Sequence, residues 1–424
     1  MILPDVHEVR LDNGFRALLV ERPNLPVVAS TLWYRVGARD ERTGETGVSH
    51  FLEHMMFKGT ERYAKGEIDL LTAKLGGSNN AFTSCDVTAY YFALAADRWE
   101  TALEIEASRM TGCLLDPEEF AAEKQVVLEE LAMGEDDPWN VLYHALESQL
   151  YSVHPYHHPV IGWREDLERL TVDGMRGYYQ RHYGPNRAFL VAVGNLDVAR
   201  SERRIKQLFG KMPASAEARA PVLGEPPPRG ERRVVVRFPV QGDIARLAMC
   251  ALTCRMGEPD DFTLDVVSQI LGGSKNSRLY RRLVMEEQVA TSVWTGNEVR
   301  LEPGLFCVAA ELREGIATAQ AEAIVHEEFD RLATEGPTAE ELRRARTQLR
   351  AAYLFEEETV LDVALRVGRF EATTDQGYPL LGEVFDRYQQ VRAKHVKDVA
   401  RRFFTSDRWC TAVLLPEQKR RNGR

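Results

Sequence analysis

No run of apolar residues in this chain approaches the length of roughly 20 that a helix needs to span a bilayer, which argues against a membrane-spanning helical protein. Positive charge is in deficit: 54 Lys and Arg stand against 64 Asp and Glu, a formal net charge of −10. That balance argues against nucleic acid as a partner and favours basic or unstructured peptides by long-range attraction, an effect screened by salt. Cysteine is scarce. Cys85, Cys113, Cys250, Cys254, Cys307 and Cys410 include no Cys-x-x-Cys pair and read as mostly buried thiols of a reducing compartment. Met1-Ile2-Leu3-Pro4 lacks the basic and apolar regions of a secretory leader. A cytoplasmic location is therefore expected, or a periplasmic one if a leader has been removed. What remains, 44% hydrophobic and 28% charged in 424 residues, is the composition of a soluble globular protein with two domains.

The richest stretch is Ser49-His50-Phe51-Leu52-Glu53-His54-Met55. Residues four apart share a helix face, so His50 and His54 can direct ring nitrogens at one ion. Glu53 is then close enough to reach a water on that ion without being a ligand. This His-x-x-Glu-His order is that of the inverted zinc peptidases. A five-residue pattern also has chance matches, and a catalytic zinc usually takes a third protein ligand.

The segment from Asp116 to Leu131 reads as a helix, with Asp116 as N-cap, Pro117 at the first position and glutamates in the first turn. Glu123 and Glu130, seven apart, share a face with Val127 between them. A carboxylate on such a face is costly unless paired, and a bound cation removes the cost. Glu130 is the candidate third ligand and Glu123 a carboxylate that orients a ligand. An ordinary solvated helix face is the alternative.

With these residues in view, the chain resembles the pitrilysin and mitochondrial processing peptidase family of inverted-motif zinc metallopeptidases, in its short bacterial form. Leu11-Asp12-Asn13-Gly14, Val36-Gly37-Ala38-Arg39, Phe57-Lys58-Gly59-Thr60 and Gly194-Asn195-Leu196-Asp197 extend the likeness over essentially the whole chain. The resemblance implies Zn2+ held by His50, His54 and Glu130, with Glu53 as general base and Glu123 as supporting carboxylate. It also implies an α+β fold of two related domains in a clamshell around a peptide-binding chamber, the inactive half closing over substrate bound to the active one.

Prolines 213, 221 and 226–228, with Gly224 and Gly230, interrupt all periodicity and read as a semi-rigid linker. The expected division is a catalytic domain over residues 1–214, a linker over 215–232 and an inactive domain over 233–424. Strands at Phe15–Val20 and Arg233–Phe238, and at Ala188–Val193 and Thr411–Leu415, suggest a weak internal duplication. Aligning Glu119-Phe120 with Glu341-Leu342 (offset 222) sets Ala345 and Ala352 against Glu123 and Glu130. Carried back, the same offset sets Gly272 and Asn276 against His50 and His54, so the second half lacks the metal chemistry.

A peptidase of varied sequences must hold backbone, which an edge strand does by strand addition. The run from Gly76 to Phe92 resembles the family's glycine turn and substrate-pairing strand, with Asn80, Ala81, Phe82 and Thr83 as expected contacts. A tight turn into an ordinary strand is the alternative. One departure stands out. Active members of the family carry an Arg and a Tyr seven apart that stabilise the oxyanion, and the corresponding positions here are Val284 and Thr291. A homologous second subunit is expected to supply that pair in a heterodimer. A homodimer, or substitution by Arg278, Arg281 or Arg282, is the weaker alternative.

The implied activity is zinc-dependent endopeptidase hydrolysis of short or unfolded peptides, with Glu53 moving the proton. The alternatives are a precursor-processing subunit acting with a partner, a non-catalytic scaffold subunit, and a zinc-stabilised peptide-binding module. Neither nucleic acid nor membrane is expected as a partner.

Overall fold

The computed structural model describes residues 5–215, 219–239, 244–355 and 358–417. They form two compact α+β units, each built on its own sheet. Among the described residues no helix is long and apolar enough to cross a membrane.

In the first unit, β1 (Val6–Arg10), β2 (Arg16–Glu21) and β3 (Val27–Tyr34) precede α1 (Val48–Met55) and α2 (Glu67–Lys74). Then come β4 (Ser78–Thr83), β5 (Thr88–Ala95), α3 (Glu100–Gly112), α4 (Pro117–Glu135) and, later, β6 (Ala188–Gly194), while α5 (Pro138–Leu150), between α4 and β6 in sequence, belongs to the second unit. The strands lie in the order β1-β2-β6-β3-β5-β4. Central strands are buried on both faces and so read as continuous apolar runs: every residue of β6 is buried. On one face Leu32, Tyr34, Tyr90 and Leu190 pack with Phe51, Leu52 and Met55 of α1 and with α3 and α4.

The second unit carries β7 (Arg232–Phe238), β8 (Arg246–Leu252), β9 (Ala290–Glu298), β10 (Leu305–Leu312) and β11 (Trp409–Pro416) in the order β7-β11-β8-β10-β9. With β1 set aside, the two sheets have the same strand order. Their parallel pairs correspond, β2 with β6 and β7 with β11. The helices repeat too: the starts of α4 and Ala339–Phe355 are 222 apart (117 to 339), as are those of α5 and Val360–Thr373 (138 to 360). Even the ion pair Glu106–Arg109 of α3 has its counterpart in Glu328–Arg331 at that interval. Before α3 the interval shrinks. The helix between β8 and β9 that takes the place of α1 is Pro259–Leu271, so Gly272 and Asn276 fall beyond its last residue and are not the counterparts of His50 and His54. Insertions ahead of α3 explain the slip.

The units do not coincide with the halves of the chain. The first comprises Met1–Ala132, His158–Val222 and Leu354–Gly382, and the second Met133–His157, Leu223–Tyr353 and Glu383–Arg424. The divisions 1–214 and 233–424 therefore each misplace a helix: α5 packs on β7, β8 and β11, while Val360–Thr373 packs on β3 and β6. The proline-rich stretch is also tied down at both ends. Arg219 donates to both carboxylate oxygens of Asp40, and Glu225 accepts the backbone N–H groups of Ser152, Val153 and His154.

Register explains why Val360–Thr373 belongs where it is. Phe82, Ala89, Trp33, Phe189 and Arg16 lie side by side across five strands, and hence on one face. Trp33 stacks on Phe189 and meets Phe82 edge-on. Arg16 and Arg35 both reach the Glu371 carboxylate, at 2.5 and 2.9 Å. Gly368 lies flat against the Trp33 ring, where an added Cβ would stand only 2.1 Å from the indole. Trp33 is held by its neighbours and by a bond to Thr31, so it cannot yield. Gly368→Val is expected to destabilise the first unit by roughly 3 kcal/mol or more through overpacking, read as a lowered thermal midpoint.

Two of the six cysteines depart from the thiol reading. Cys250 and Cys307 sit directly opposite each other on β8 and β10, Cα atoms 4.3 Å apart, and form a disulfide. They are not thiols. Cys85, Cys113, Cys254 and Cys410 are free.

Candidate metal centre

The site begins with α1, whose apolar side (Phe51, Leu52, Met55) is in the core and whose other side carries His50 and His54. Gly47 caps this helix at φ +87°, a left-handed conformation natural to glycine, and has no side chain to satisfy the first amides. Glu41 does so instead. Its two oxygens accept the N–H groups of Gly47 and Ser49, each at 2.8 Å. Burial pushes its pKa up to about 8 against the pull of those two bonds.

Asp116 starts α4 as its composition predicts, Oδ1 accepting from the N–H groups of Glu118 and Glu119. Val127 is buried between Glu123 and Glu130. The structure brings His50, His54 and Glu130 together, their donor atoms all within 4.8 Å of one another. Glu130 oxygens lie 3.9 Å from His50 Nε2 and 3.7 Å from His54 Nε2. These distances are too long for hydrogen bonds, yet near the edge of about 3.4 Å of a tetrahedron with bonds of about 2.1 Å. Two imidazoles and a carboxylate are also the donor types zinc takes in catalytic sites. The residues fit a zinc ion.

Their surroundings favour a cation. His54 donates its Nδ1–H to Glu123 Oε1 at 2.9 Å, which leaves the Nε2 lone pair free on the side of Glu130. Lys58 Nζ is 2.5 Å from the other Glu123 oxygen. Burial works against the Glu123 carboxylate, but Lys58 and His54 outweigh it and hold its pKa below the usual range. Burial, aided by neighbouring His54, depresses the His50 pKa to about 4, so at neutral pH its ring is uncharged and able to ligate.

Glu53 is buried beside the pair, 9% exposed. Burial raises its pKa above the ordinary carboxylate range, Thr83 and His54 opposing and Glu130 adding to the shift. A base poised upward in this way suits proton transfer near neutrality.

The four residues expected to touch substrate lie on β4, the outermost strand on its side of the sheet. Their side chains have other engagements. Asn80 Oδ1 accepts its own neighbour's N–H from Ala81, Ala81 packs on the core, Phe82 faces Trp33, and Thr83 donates to Glu53. In the other unit, Val284 lies in the helical turn Tyr280–Glu286, and Thr291 is exposed and bonds to Glu311. Arg278, Arg281 and Arg282 are each ion-paired to glutamates.

Comparison with known proteins decides the family. A model described as "Insulinase (Peptidase family M16)" matches residues 16–163, and one described as "Peptidase M16 inactive domain" matches residues 169–349. The chain belongs to peptidase family M16. This M16 chain is 28% identical to the zinc protease YmxG of Bacillus subtilis, over 95% of its own length and 97% of the relative's. It is also 28% identical to the zinc protease PqqE of Helicobacter pylori, over 98% and 94%. A solved protease from Helicobacter pylori superposes with a TM-score of 0.92 at 27% identity, covering 98% of this chain and all of that one. Like these relatives, it is a member of a zinc protease family.

Reading the M16 sequence alone missed Lys58, Glu41 and the hydroxyl of Thr83. Lys58 carried a signal, since it follows His54 by four residues. Glu41 carried none, because a loop sets its reach.

Proposed function

We propose that the chain is a zinc-dependent endopeptidase acting on short or unfolded peptides, and that it is the zinc-bearing subunit of a heterodimer. One observation carries the reading: two imidazoles and a carboxylate from separate helices converge with the spacing of zinc ligands, next to a buried carboxylate that is not one of them. When bound, zinc would polarise the scissile carbonyl and lower the pKa of an attacking water toward neutrality. Glu53 takes the proton from that water as its oxygen bonds to the carbonyl carbon. It then passes the proton to the nitrogen as the C–N bond breaks. His54, fixed by Glu123, keeps its free nitrogen aimed at the ion. The open edge of β4 offers backbone groups to an extended peptide.

The heterodimer is supported by Val284 and Thr291, which stand where the family resemblance implies oxyanion donors and which have none of an Arg's or a Tyr's donor strength. The nearby arginines are committed to carboxylates. A precursor-processing role with a partner is the finer form of the same reading. The test incubates the purified chain with a fluorogenic peptide mixture, alone and with a homologous subunit encoded beside it. The expected result is cleavage that rises about 10²-fold or more when the partner is added, the order of magnitude of an oxyanion donor. Peptide binding without cleavage in both conditions would replace the enzyme by a binding module. Full activity of the chain alone would remove the partner.

A further inference from the structure

Glu53 sits on α1 with three rotatable side-chain bonds, and a general base must hold its oxygen within hydrogen-bond reach of the proton it takes. Among the described residues, its carboxylate receives one hydrogen bond, from Thr83 Oγ1 to Oε2 at 2.5 Å. Alternation along β4 explains the aim. Asn79, Ala81 and Thr83 point to the face on which α1 and α2 pack, as the bond from Asn79 to Thr72 of α2 shows, whereas Phe82 points to the other face. Thr83 lies opposite Thr88 on β5, whose hydroxyl donates to Val36 O at 3.0 Å and approaches Thr83 Oγ1 at 3.5 Å. The single hydroxyl proton of Thr83 goes to Glu53, and its χ1 is stiff because threonine is β-branched.

We propose that Thr83 is a positioning residue, fixing the Glu53 carboxylate to the edge strand so that the base and a peptide laid along β4 share one frame. Oε2 is thereby occupied and Oε1 left for the water. This inference rests on the reading of Glu53 as base. It reassigns Thr83, whose side chain serves the base while its backbone remains on the edge.

The test compares Thr83→Val, which keeps shape and loses the hydroxyl, with Thr83→Ser, which keeps the hydroxyl, in whichever condition, the chain alone or with a second subunit, the parental chain cleaves the peptide mixture. Thr83→Val should lower kcat by about 10- to 10²-fold, the scale set by a misplaced catalytic group, with KM and zinc content unchanged. Thr83→Ser should recover most of the rate. A readout independent of turnover is the crystal structure of Thr83→Val, in which Glu53 should leave its parental rotamer; Thr83→Ala serves if the valine variant does not fold. Parental kcat, a loss confined to KM, or an undisturbed Glu53 overturns the inference. Glu53→Gln assayed alongside separates the two readings. If that variant cleaves normally the base assignment falls, and if it is dead while Thr83→Val is normal only the positioning role falls.

Discussion

Glu53→Gln is expected to leave zinc bound and to reduce peptide hydrolysis by about 10³-fold, within the range of 10²- to 10⁴-fold for loss of a general base. The substitution preserves shape and can still accept from Thr83, so the packing beneath α1 is undisturbed. It removes the carboxylate proposed to carry a proton from water to amine. His50 and His54 point at Glu130 rather than at Glu53, so metal retention should not change. The measurement pairs zinc analysis with kcat on the peptide mixture. A variant that cleaves at the parental rate removes Glu53 from the chemistry.

The second large effect belongs to Glu130. Glu130→Gln exchanges an anionic oxygen for a neutral amide oxygen at the third donor, so that none of the three donor groups carries a negative charge. Because even residues behind the ligands typically alter affinity by 10- to 100-fold, loss of a ligand should weaken zinc binding by more than about 10²-fold. The expected result is a protein that keeps its fold, since Glu130 is exposed and outside the core, but loses zinc on dialysis against a mild chelator. Retention of a full equivalent would mean that the carboxylate is not a ligand.

The contrast between these residues and β4 shows what the sequence can carry. His50, Glu53 and His54 are legible because four-residue spacing on a helix fixes direction, and Glu123 and Glu130 because seven-residue spacing does the same on α4. The strand is different. Asn80, Ala81, Phe82 and Thr83 mark an edge segment correctly, but what each side chain meets depends on whether Trp33 or Glu53 lies beneath it. That is a property of register across the sheet. Likewise nothing in a separation of 57 residues pairs Cys250 with Cys307; only the alignment of β8 on β10 does. The domain boundary failed for a related reason. An amphipathic helix carries the same pattern whichever sheet it covers, so α5 and Val360–Thr373 gave no sign of their destinations.

Those two helices have an evolutionary consequence. Each is encoded in one repeat and roofs the sheet of the other, and the chain passes between the units after Ala132, His157, Val222, Tyr353 and Gly382. A primordial polypeptide of a single repeat, with the same element order, would have had its own sheet bare and its own roof unused. Such a molecule is complete only as an arm-exchanging pair of identical copies.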